Sequence, residues 1–441
     1  MSFFPSAAWL KDLDERHLLF TERLEDPLAF EGGQFHFSAK DNLCARDFQA
    51  RAGSLVLKGY RPPFDATPIK RLRENGGLLL GKTNMDEFGF GSFSTNSAYG
   101  IPRNPFDIER CCGGSSGGAA AAACLIPDHL ALGVSTGGSI SCPSSFCGVV
   151  GLTPTYGRVS RWGLIDYGNS LDKVGLISRT VRDIEQYLPV MAGPDPRDPT
   201  SLVQPALDLR GEVRTIGVPA EARTGLSPEV AGAFEEALRE LQRTGIKVRE
   251  VRMPSLRFAI STYYILATSE ASTNLARYCG MRFGAMNEEF DQGFNDFFSD
   301  TRSRDFGTEA KRRILLGTFS RMVGFRNKYY VKALQVRKQI IGEYQKVMED
   351  CDVVLTPTMP FVAPRFDEIE MMRPLEMYQA DYLTCPPNLT GMPHLSMPCG
   401  YAHSMPIGMQ AVAPHWKEGT LLSLARSWEG IFHYRFPEVA E

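Results

Sequence analysis

The feature that most constrains the fold of this chain is a pair of glycine–serine clusters between residues 113 and 139. The first cluster reads Gly-Gly-Ser-Ser-Gly-Gly and runs directly into five alanines, and the second reads Gly-Val-Ser-Thr-Gly-Gly-Ser. Glycine loses more backbone freedom on folding than any other residue, so paired glycines indicate a backbone path that other residues cannot follow. The alanines predict a tightly packed helix whose N-terminus points at Ser115 and Ser116.

These clusters also indicate chemistry. Glycines before a serine let consecutive backbone N–H groups converge, as an oxyanion hole requires. A single Gly-Gly-Ser is more often an ordinary turn. Two such clusters joined by a short alanine-rich segment favour an active site that contains serine.

A serine nucleophile needs a base, and the sequence leaves its identity open. None of the seven histidines lies in a Gly/Ser-rich or acidic motif, so surface or core positions are the better interpretation of each. Lys40 ends an apparent strand in Phe-Ser-Ala-Lys-Asp-Asn. Burial can lower the pKa of lysine by several units from about 10.4, which would make it a base. A lone lysine is more often solvated, and the sequence by itself does not bring Lys40 to Ser139.

The rest of the chain alternates strand and helix signals. Residues 213–219 and 246–251 read as strands around a helix that begins at Ser227-Pro228, an N-cap followed by proline at the first helical position. Further apolar strands are predicted at 353–357, 393–398 and 407–412, after a helical insertion from about 255 to 350. The pattern predicts an α/β fold with a mixed twisted sheet covered by helices on both faces.

One motif is interpreted as a chance match. Residues 76–83 fit the P-loop pattern G-x-x-x-x-G-K-T. A P-loop follows a strand and opens a helix. Here a charged helical stretch comes first, and Leu78-Leu79-Leu80 reads as a buried strand.

Composition narrows the function classes. A net charge of -3 and a pI of about 6.2 do not indicate a nucleic-acid surface in this chain. The longest apolar run, 119–126, is too short to span a bilayer, and the first residues do not resemble a signal peptide. Ten scattered cysteines favour neither a disulfide framework nor a zinc site. We expect a cytoplasmic, reduced protein with no metal and no membrane association.

Taken together, these motifs resemble the amidase signature family. Ser115 and Ser139 are 24 positions apart, the interval of that family, and Lys40 lies in a matching Ala-Lys-Asp-Asn motif. The text GVVGLTPTYGRVSRWGLIDYGNSLDKVG, residues 148–175, continues the resemblance. The similarity covers about residues 34–435 and implies one large amidase domain over 1–441. Its parts would be a shortened N-terminal lead (1–33), a signature core (34–200), a βαβ unit with the helical insertion (201–350), and C-terminal strands and a helix (351–441).

The resemblance implies a Ser–cis-Ser–Lys triad. Ser139 would attack the amide carbonyl, and Ser115, after a cis peptide bond from Gly114, would relay the proton to neutral Lys40. The oxyanion would be held by backbone N–H groups of three residues: Thr136, Gly137 and Gly138.

Within the family, the chain resembles the glutaminase subunits of tRNA-dependent amidotransferases, and this resemblance implies a heterotrimeric complex. The residues implied to recognise L-glutamine are Tyr263, Arg313 and Asp381, with Arg313 on the carboxylate and Asp381 on the ammonium. The resemblance also implies B and C partner subunits. ATP and Mg²⁺ would be bound by the B subunit, with no cofactor in this chain. The substrate of the complex would be mischarged Glu-tRNA(Gln), Asp-tRNA(Asn) or both, with no direct contact to DNA.

Two positions depart from the family motif. Ser135 replaces an aspartate and Ser141 an arginine, so both partners of an ion pair are absent together. We expect hydroxyl hydrogen bonds to hold this loop instead. Two alternative functions stay open at this point: a free-standing amidase for another small amide, and a weakly active scaffold subunit of the same complex.

Overall fold

A central sheet organises the computed structural model, which describes residues 3–29, 33–286 and 293–438. The strands of the described residues are β1 (Phe20–Arg23), β2 (Phe35–Lys40), β3 (Gly77–Thr83), β4 (His129–Ser135), β5 (Val150–Thr153), β6 (Lys173–Ser178), β7 (Thr215–Pro219), β8 (Lys247–Val251), β9 (Val353–Pro357), β10 (His394–Ala402) and β11 (Met405–Val412). They form one sheet in the order β1-β3-β2-β4-β6-β5-β10-β11-β9-β7-β8.

Helices cover both faces of this sheet, as the sequence predicts. In the described part of the chain they are α1 (Ala7–His17), α2 (Thr67–Glu74), α3 (Gly117–Leu125), α4 (Ser141–Phe146), α5 (Val181–Met191), α6 (Pro228–Arg243), α7 (Ala259–Asn274), α8 (Phe294–Asp305), α9 (Thr308–Arg321), α10 (Lys332–Val347), α11 (Phe366–Met371), α12 (Pro374–Gln379), α13 (Cys385–Thr390) and α14 (Glu418–Glu429). Leu132 and Val134 of β4 pack into a core on one face, whereas Ala131 packs into a core on the other. This alternation is the period of two that a strand covered on both faces requires.

The sheet is mixed because parallel pairs lie within antiparallel neighbours. Strand β2 runs parallel to both β3 and β4, and β7 runs parallel to both β8 and β9. The remaining pairs are antiparallel. The parallel group β3-β2-β4 matters most for function, because it aligns the carboxyl ends of its strands at one edge.

The predicted βαβ unit and C-terminal strands are confirmed. Ser227 caps α6 by accepting a hydrogen bond from the Val230 N–H, with Pro228 at the first helical position. The leucines of the P-loop-like motif lie in β3, which confirms the predicted strand. The predicted insertion contains α7 to α10, although its residues 287–292 lie outside the described residues. So do residues 1–2 and 30–32 of the predicted lead.

The alanine-rich segment forms α3, as predicted. The helix begins at Gly117, directly after Ser116, and all nine of its residues are buried. Small side chains let its backbone approach the sheet closely, and this proximity fixes its N-terminus. In the described residues no helix is long and apolar enough to cross a membrane.

Candidate active site

The site lies where two neighbouring parallel strands end. Lys40 is the last residue of β2 and Ser135 is the last residue of β4, and the two strands pair with Ala39 opposite Leu132. Parallel neighbours bring their carboxyl ends to the same edge of a sheet. The topology thereby places Lys40 beside the loop that leads to Ser139.

Lys40 is a buried amine in contact with the first serine cluster. Its Nζ lies 2.6 Å from Ser115 Oγ and donates to the Val134 carbonyl at 3.0 Å. Burial lowers the pKa of Lys40 to about 7, against the opposing charges of Asp86 and Asp172. A substantial fraction of this amine is therefore neutral at neutral pH and able to accept a proton.

Ser115 connects this amine to the start of α3. The peptide bond between Gly114 and Ser115 is cis, as the resemblance implies. Both serines of the cluster, Ser115 and Ser116, are buried. The hydroxyl of Ser115 is thus held against Lys40 at the N-terminus of a helix whose position the sheet fixes.

The second cluster forms a tight loop between β4 and α4. At Gly137 a Cβ atom would lie 2.3 Å from Cζ of Tyr263, and at Gly138 it would lie 2.2 Å from Oγ1 of Thr384. Gly138 also has a φ of 148°, which L side chains rarely adopt. Close approach of these two side chains therefore requires the glycines before Ser139. Ser139 itself is 7% exposed.

A buried carboxylate orients the start of this loop. Asp172 accepts a hydrogen bond from the Thr136 hydroxyl at 2.7 Å and from the backbone N–H groups of Tyr167 and Gly168. Burial raises the pKa of Asp172 to about 7, against these hydrogen bonds. Sequence reasoning missed Asp172. This residue lies within the motif at 148–175, but nothing in its local sequence indicates its role.

A narrow cavity brings six of the nine predicted site residues together. Its lining includes Gly137, Gly138, Ser139, Tyr263, Arg313 and Asp381. The cavity has a volume of about 10 Å³, and a wider one of about 170 Å³ lies beside it and shares Gly91 and Arg313 in its lining. Ser139 therefore lies beside both a cationic and an anionic side chain.

Arg313 projects from α9 and is fully enclosed by polar and aromatic groups. It donates to Glu309 Oε1 and to the Tyr167 hydroxyl, each at 2.8 Å. The centre of its guanidinium lies within 5.8 Å of four ring centroids, those of Phe90, Tyr167, Tyr264 and Tyr378. Such a cage holds the planar cation in one orientation.

Asp381 supplies the opposite charge on the other side. It accepts hydrogen bonds from Ser92 Oγ at 2.7 Å and from the Tyr264 hydroxyl at 3.1 Å. Burial raises the pKa of Asp381 to about 6, against these two donors. Ser92 and Tyr264 are site residues that sequence reasoning missed. The adjacent tyrosines at 263 and 264 were the available signal for the second.

The expectation that hydroxyl hydrogen bonds of Ser135 and Ser141 hold this loop is confirmed for the first residue and wrong for the second. Ser135 donates to Asn388 Oδ1 at 3.2 Å, as expected. Ser141 Oγ is buried and has no hydrogen-bond partner among the described residues, so its hydroxyl does not replace an ion pair. The loop is held by Thr136 and by the contacts of its glycines.

Two further observations delimit the site. In the described ranges no three His, Cys, Asp or Glu side chains converge in a way that could hold a metal ion. A larger cavity of about 540 Å³, lined by Trp162 and Arg277 among others, contains none of the predicted site residues.

Comparison with known proteins assigns the family. The amidase family model matches residues 36–422. The chain belongs to the amidase family. Over 402 residues, this amidase is 44% identical to the A subunit of the glutamyl-tRNA(Gln) amidotransferase of Syntrophus aciditrophicus, covering 89% of this chain and 82% of that one. It is 43% identical to the corresponding protein of a Geobacillus species over 94% of this chain and 87% of that one.

A solved structure gives the same result. The crystal structure of the glutamyl-tRNA(Gln) amidotransferase A subunit from Thermotoga maritima matches 98% of this amidase and 93% of its own chain. The TM-score is 0.84 and the sequence identity is 34%. The fold of the amidase family therefore extends over almost the whole chain.

Proposed function

We propose that this amidase is the glutaminase subunit of a tRNA-dependent amidotransferase, and that it releases ammonia from L-glutamine. The observation that carries the proposal is the cavity in which Ser139 lies beside both Arg313 and Asp381. A free amino acid has a carboxylate and an ammonium, so its site needs one group of each charge. The similarity to the A subunits of two glutamyl-tRNA(Gln) amidotransferases supports the same assignment.

In the first chemical step, Ser139 Oγ attacks the side-chain amide carbon of glutamine. The Ser139 proton passes to Ser115 Oγ as the Ser115 proton passes to the neutral amine of Lys40, 2.6 Å away. Collapse of the tetrahedral intermediate breaks the C–N bond. The proton returns through Ser115 to the leaving nitrogen, which departs as ammonia and leaves a glutamyl ester on Ser139.

Water completes the reaction by the same route. It attacks the ester carbon, its proton passes to Lys40 through Ser115, and the bond to Ser139 Oγ breaks as that oxygen regains a proton. In both steps the negative charge on the carbonyl oxygen would be held by the backbone N–H groups of Thr136, Gly137 and Gly138. Asp172 supports this role because it fixes the Thr136 side chain at the start of the loop.

Recognition of glutamine would use three side chains around Ser139. Arg313 would bind the α-carboxylate and Asp381 the α-ammonium, while Tyr263 would limit the cavity beside Gly137. A cavity of about 10 Å³ holds roughly one water molecule. Entry of an amino acid therefore requires this cavity to widen, and the cavity of about 170 Å³ beside it, lined by Tyr378 and Arg313 among others, is the adjoining space.

The similarity to these known A subunits supports assembly into a complex. In this proposal the ammonia passes to a B subunit, which binds ATP and Mg²⁺, and a C subunit completes the heterotrimer. The acceptor would be Glu-tRNA(Gln), Asp-tRNA(Asn) or both.

A substrate panel tests this function. The purified chain, alone and with the B and C subunits of the same organism, is assayed for ammonia release from L-glutamine, N-acetyl-L-glutamine, L-glutamine methyl ester, and aryl and fatty amides. We expect L-glutamine to have the highest kcat/KM, and each blocked derivative to lose affinity, because one charge of the cavity is left unpaired. Faster hydrolysis of aryl or fatty amides would favour a free-standing amidase, and absence of any hydrolysis in the complex would favour a scaffold.

A further inference from the structure

The turn between α9 and α10 exposes an apolar surface. We call residues 315–334 the α9–α10 turn. Its exposed large apolar side chains are Leu315, Leu316, Phe319, Met322, Val323, Tyr329 and Leu334. Val323, at the tip, is 100% exposed. Single exposed apolar residues are common in soluble proteins, but seven in twenty positions are not.

Aromatic rings join the two ends of this segment. The ring centroid of Phe319 lies 4.5 Å from that of Phe325 and 5.7 Å from that of Tyr329. The end of α9 and the start of the following helical segment thus contact each other through aromatic rings. Such a concentration of exposed apolar side chains is typical of an interaction surface.

The same segment is strongly basic. Residues 315–334 contain four Lys or Arg and no Asp or Glu, in a chain whose net charge is -3. They are Arg321, Arg326, Lys328 and Lys332, and all four are exposed. The charge of the whole chain conceals this local excess, so the composition argument missed it.

Helix α9 links this surface to the site. Its first residues, Thr308, Glu309 and Arg312, line the wider cavity, and Arg313 lines the cavity at Ser139. Its last residue, Arg321, belongs to the α9–α10 turn. Binding at the turn would therefore act on the helix that holds the recognition arginine.

We propose that the α9–α10 turn is the surface on which one partner subunit of the amidotransferase docks, through a single amphipathic segment whose apolar face is flanked by acidic residues. This inference rests on the proposed function, which requires such partners. Acidic flanks would complement the basic excess and speed association. A second copy of this chain fits poorly, because a two-fold contact would place the basic surface against itself. RNA fits poorly as well, because phosphate recognition does not need a broad aliphatic patch.

Matched substitutions test the docking surface. Val323→Asp is compared with Val203→Asp, which alters a valine that is 88% exposed outside the turn. Lys328→Glu is compared with Lys247→Glu, which alters an exposed lysine on β8. Each full-length chain is titrated against the B and C subunits of the same organism. Binding of the organism's tRNA, self-association and glutamine hydrolysis by the chain alone are also measured.

We expect Val323→Asp to weaken subunit binding by roughly 30-fold or more, since it places a charge in the apolar centre of the contact. Lys328→Glu should slow association by roughly tenfold at low salt, with the difference shrinking as salt rises. Both control variants should bind like the wild type. Glutamine hydrolysis by the chain alone should be unchanged in all four, which shows that they fold.

The contradicting outcomes are distinct. A wild-type chain that does not bind the B and C subunits would overturn the assembly part of the proposed function, and this inference with it. Wild-type binding that survives Val323→Asp would overturn this inference alone. A self-association lost in Val323→Asp would assign the surface to a second copy. Binding of tRNA lost in Lys328→Glu, with subunit binding intact, would assign it to RNA.

Discussion

Two regions of this amidase build the site in different ways. In the strand-end region, formed by β2, β4 and the start of α3, the sheet itself places Lys40, Ser115 and Ser139. In the helical region, α7 and α9 lie over that edge and contribute Tyr263 and Arg313 as side chains reaching inward. This comparison indicates that the positions of the proposed reactive groups depend on backbone geometry, whereas the positions of the proposed recognition side chains depend on helix packing. Substitutions in the first region should therefore lower kcat, and those in the second should raise KM.

The strand-end region contains two buried lysines that differ in their hydrogen-bond partners. Lys40 is the last residue of β2 and Lys82 is the next-to-last residue of the neighbouring β3. Both side chains are buried, and burial lowers the pKa of each. Lys40 meets a serine hydroxyl, whereas Lys82 donates to the carbonyls of Asp41 and Leu43. Burial and a lowered pKa thus do not identify a base. The bonded partner does.

The largest effect on activity is expected when Lys40 is replaced, and the matched change at Lys82 is its control. Lys40→Met should reduce kcat for glutamine by roughly 10⁴-fold, because the proton of Ser139 loses its acceptor. Lys82→Met should leave kcat nearly unchanged but destabilise the fold by about 1–3 kcal/mol, because buried carbonyls lose their donor. Steady-state kinetics and thermal unfolding of both variants check this. Equal loss of activity at well-folded Lys82→Met would contradict the distinction.

Recognition variants test the helical region. Arg313→Lys and Asp381→Asn should each raise KM for glutamine by roughly 100-fold with a smaller change in kcat. The first replaces a bidentate guanidinium by a single ammonium donor, and the second removes the negative charge that would face the substrate ammonium. Arg321→Lys, on the same helix but outside the cavity, serves as the control for the isolated chain. A fall in kcat with KM unchanged would mean that Arg313 acts on the chemistry instead.

The pH dependence gives a smaller effect with a defined sign. Lys40 accepts a proton only when neutral, so kcat should rise with pH through about 7 and fall about fivefold between pH 7 and pH 6. Asp381 binds an ammonium only when charged, so kcat/KM should have a second rise near pH 6. Asp381→Asn should remove that second rise and leave the first. An activity that falls as pH increases from 6 to 8 would contradict the assignment of Lys40 as the base.

The smallest effects concern the serines that depart from the family motif. Ser141→Ala removes a buried hydroxyl that has no hydrogen-bond partner among the described residues, and it should raise the free energy of unfolding slightly or leave it unchanged. Ser135→Ala removes the bond to Asn388 and should lower the free energy of unfolding by about 1 kcal/mol. Chemical denaturation of the two variants compares them. The reverse order would show that Ser141 holds the loop.

Local sequence patterns predicted much of the fold. The cap at Ser227, the alanine-rich α3 and the buried strand at Leu78–Leu80 each have strong local signals, and all three are confirmed. The division at residues 34, 201 and 351 stays a prediction. Patterns along the chain do not report which strand ends become neighbours, so Lys40 and Ser139 were joined by resemblance rather than by periodicity.

The supporting residues of the site could not be predicted in the same way. Asp172 meets Thr136 across 36 positions, and Ser92 meets Asp381 across 289. These bonds depend on the sheet order and on helices packed over its edge. A carboxylate or hydroxyl at such a position looks like any other polar residue in the sequence. The sequence also did not reveal that the Ser141 hydroxyl is buried and finds no partner within the described part of the chain.

The proposed mechanism depends most on Ser139 as the nucleophile for glutamine. The direct measurement is to treat the chain, alone and together with the proposed B and C subunits, with a diazoketone analogue of L-glutamine and to locate the stable adduct by peptide mass spectrometry. We predict one adduct on Ser139, protection by excess L-glutamine, and no adduct in Ser139→Ala. An adduct at another residue, such as nearby Cys142, or full glutamine turnover by Ser139→Ala would contradict the account.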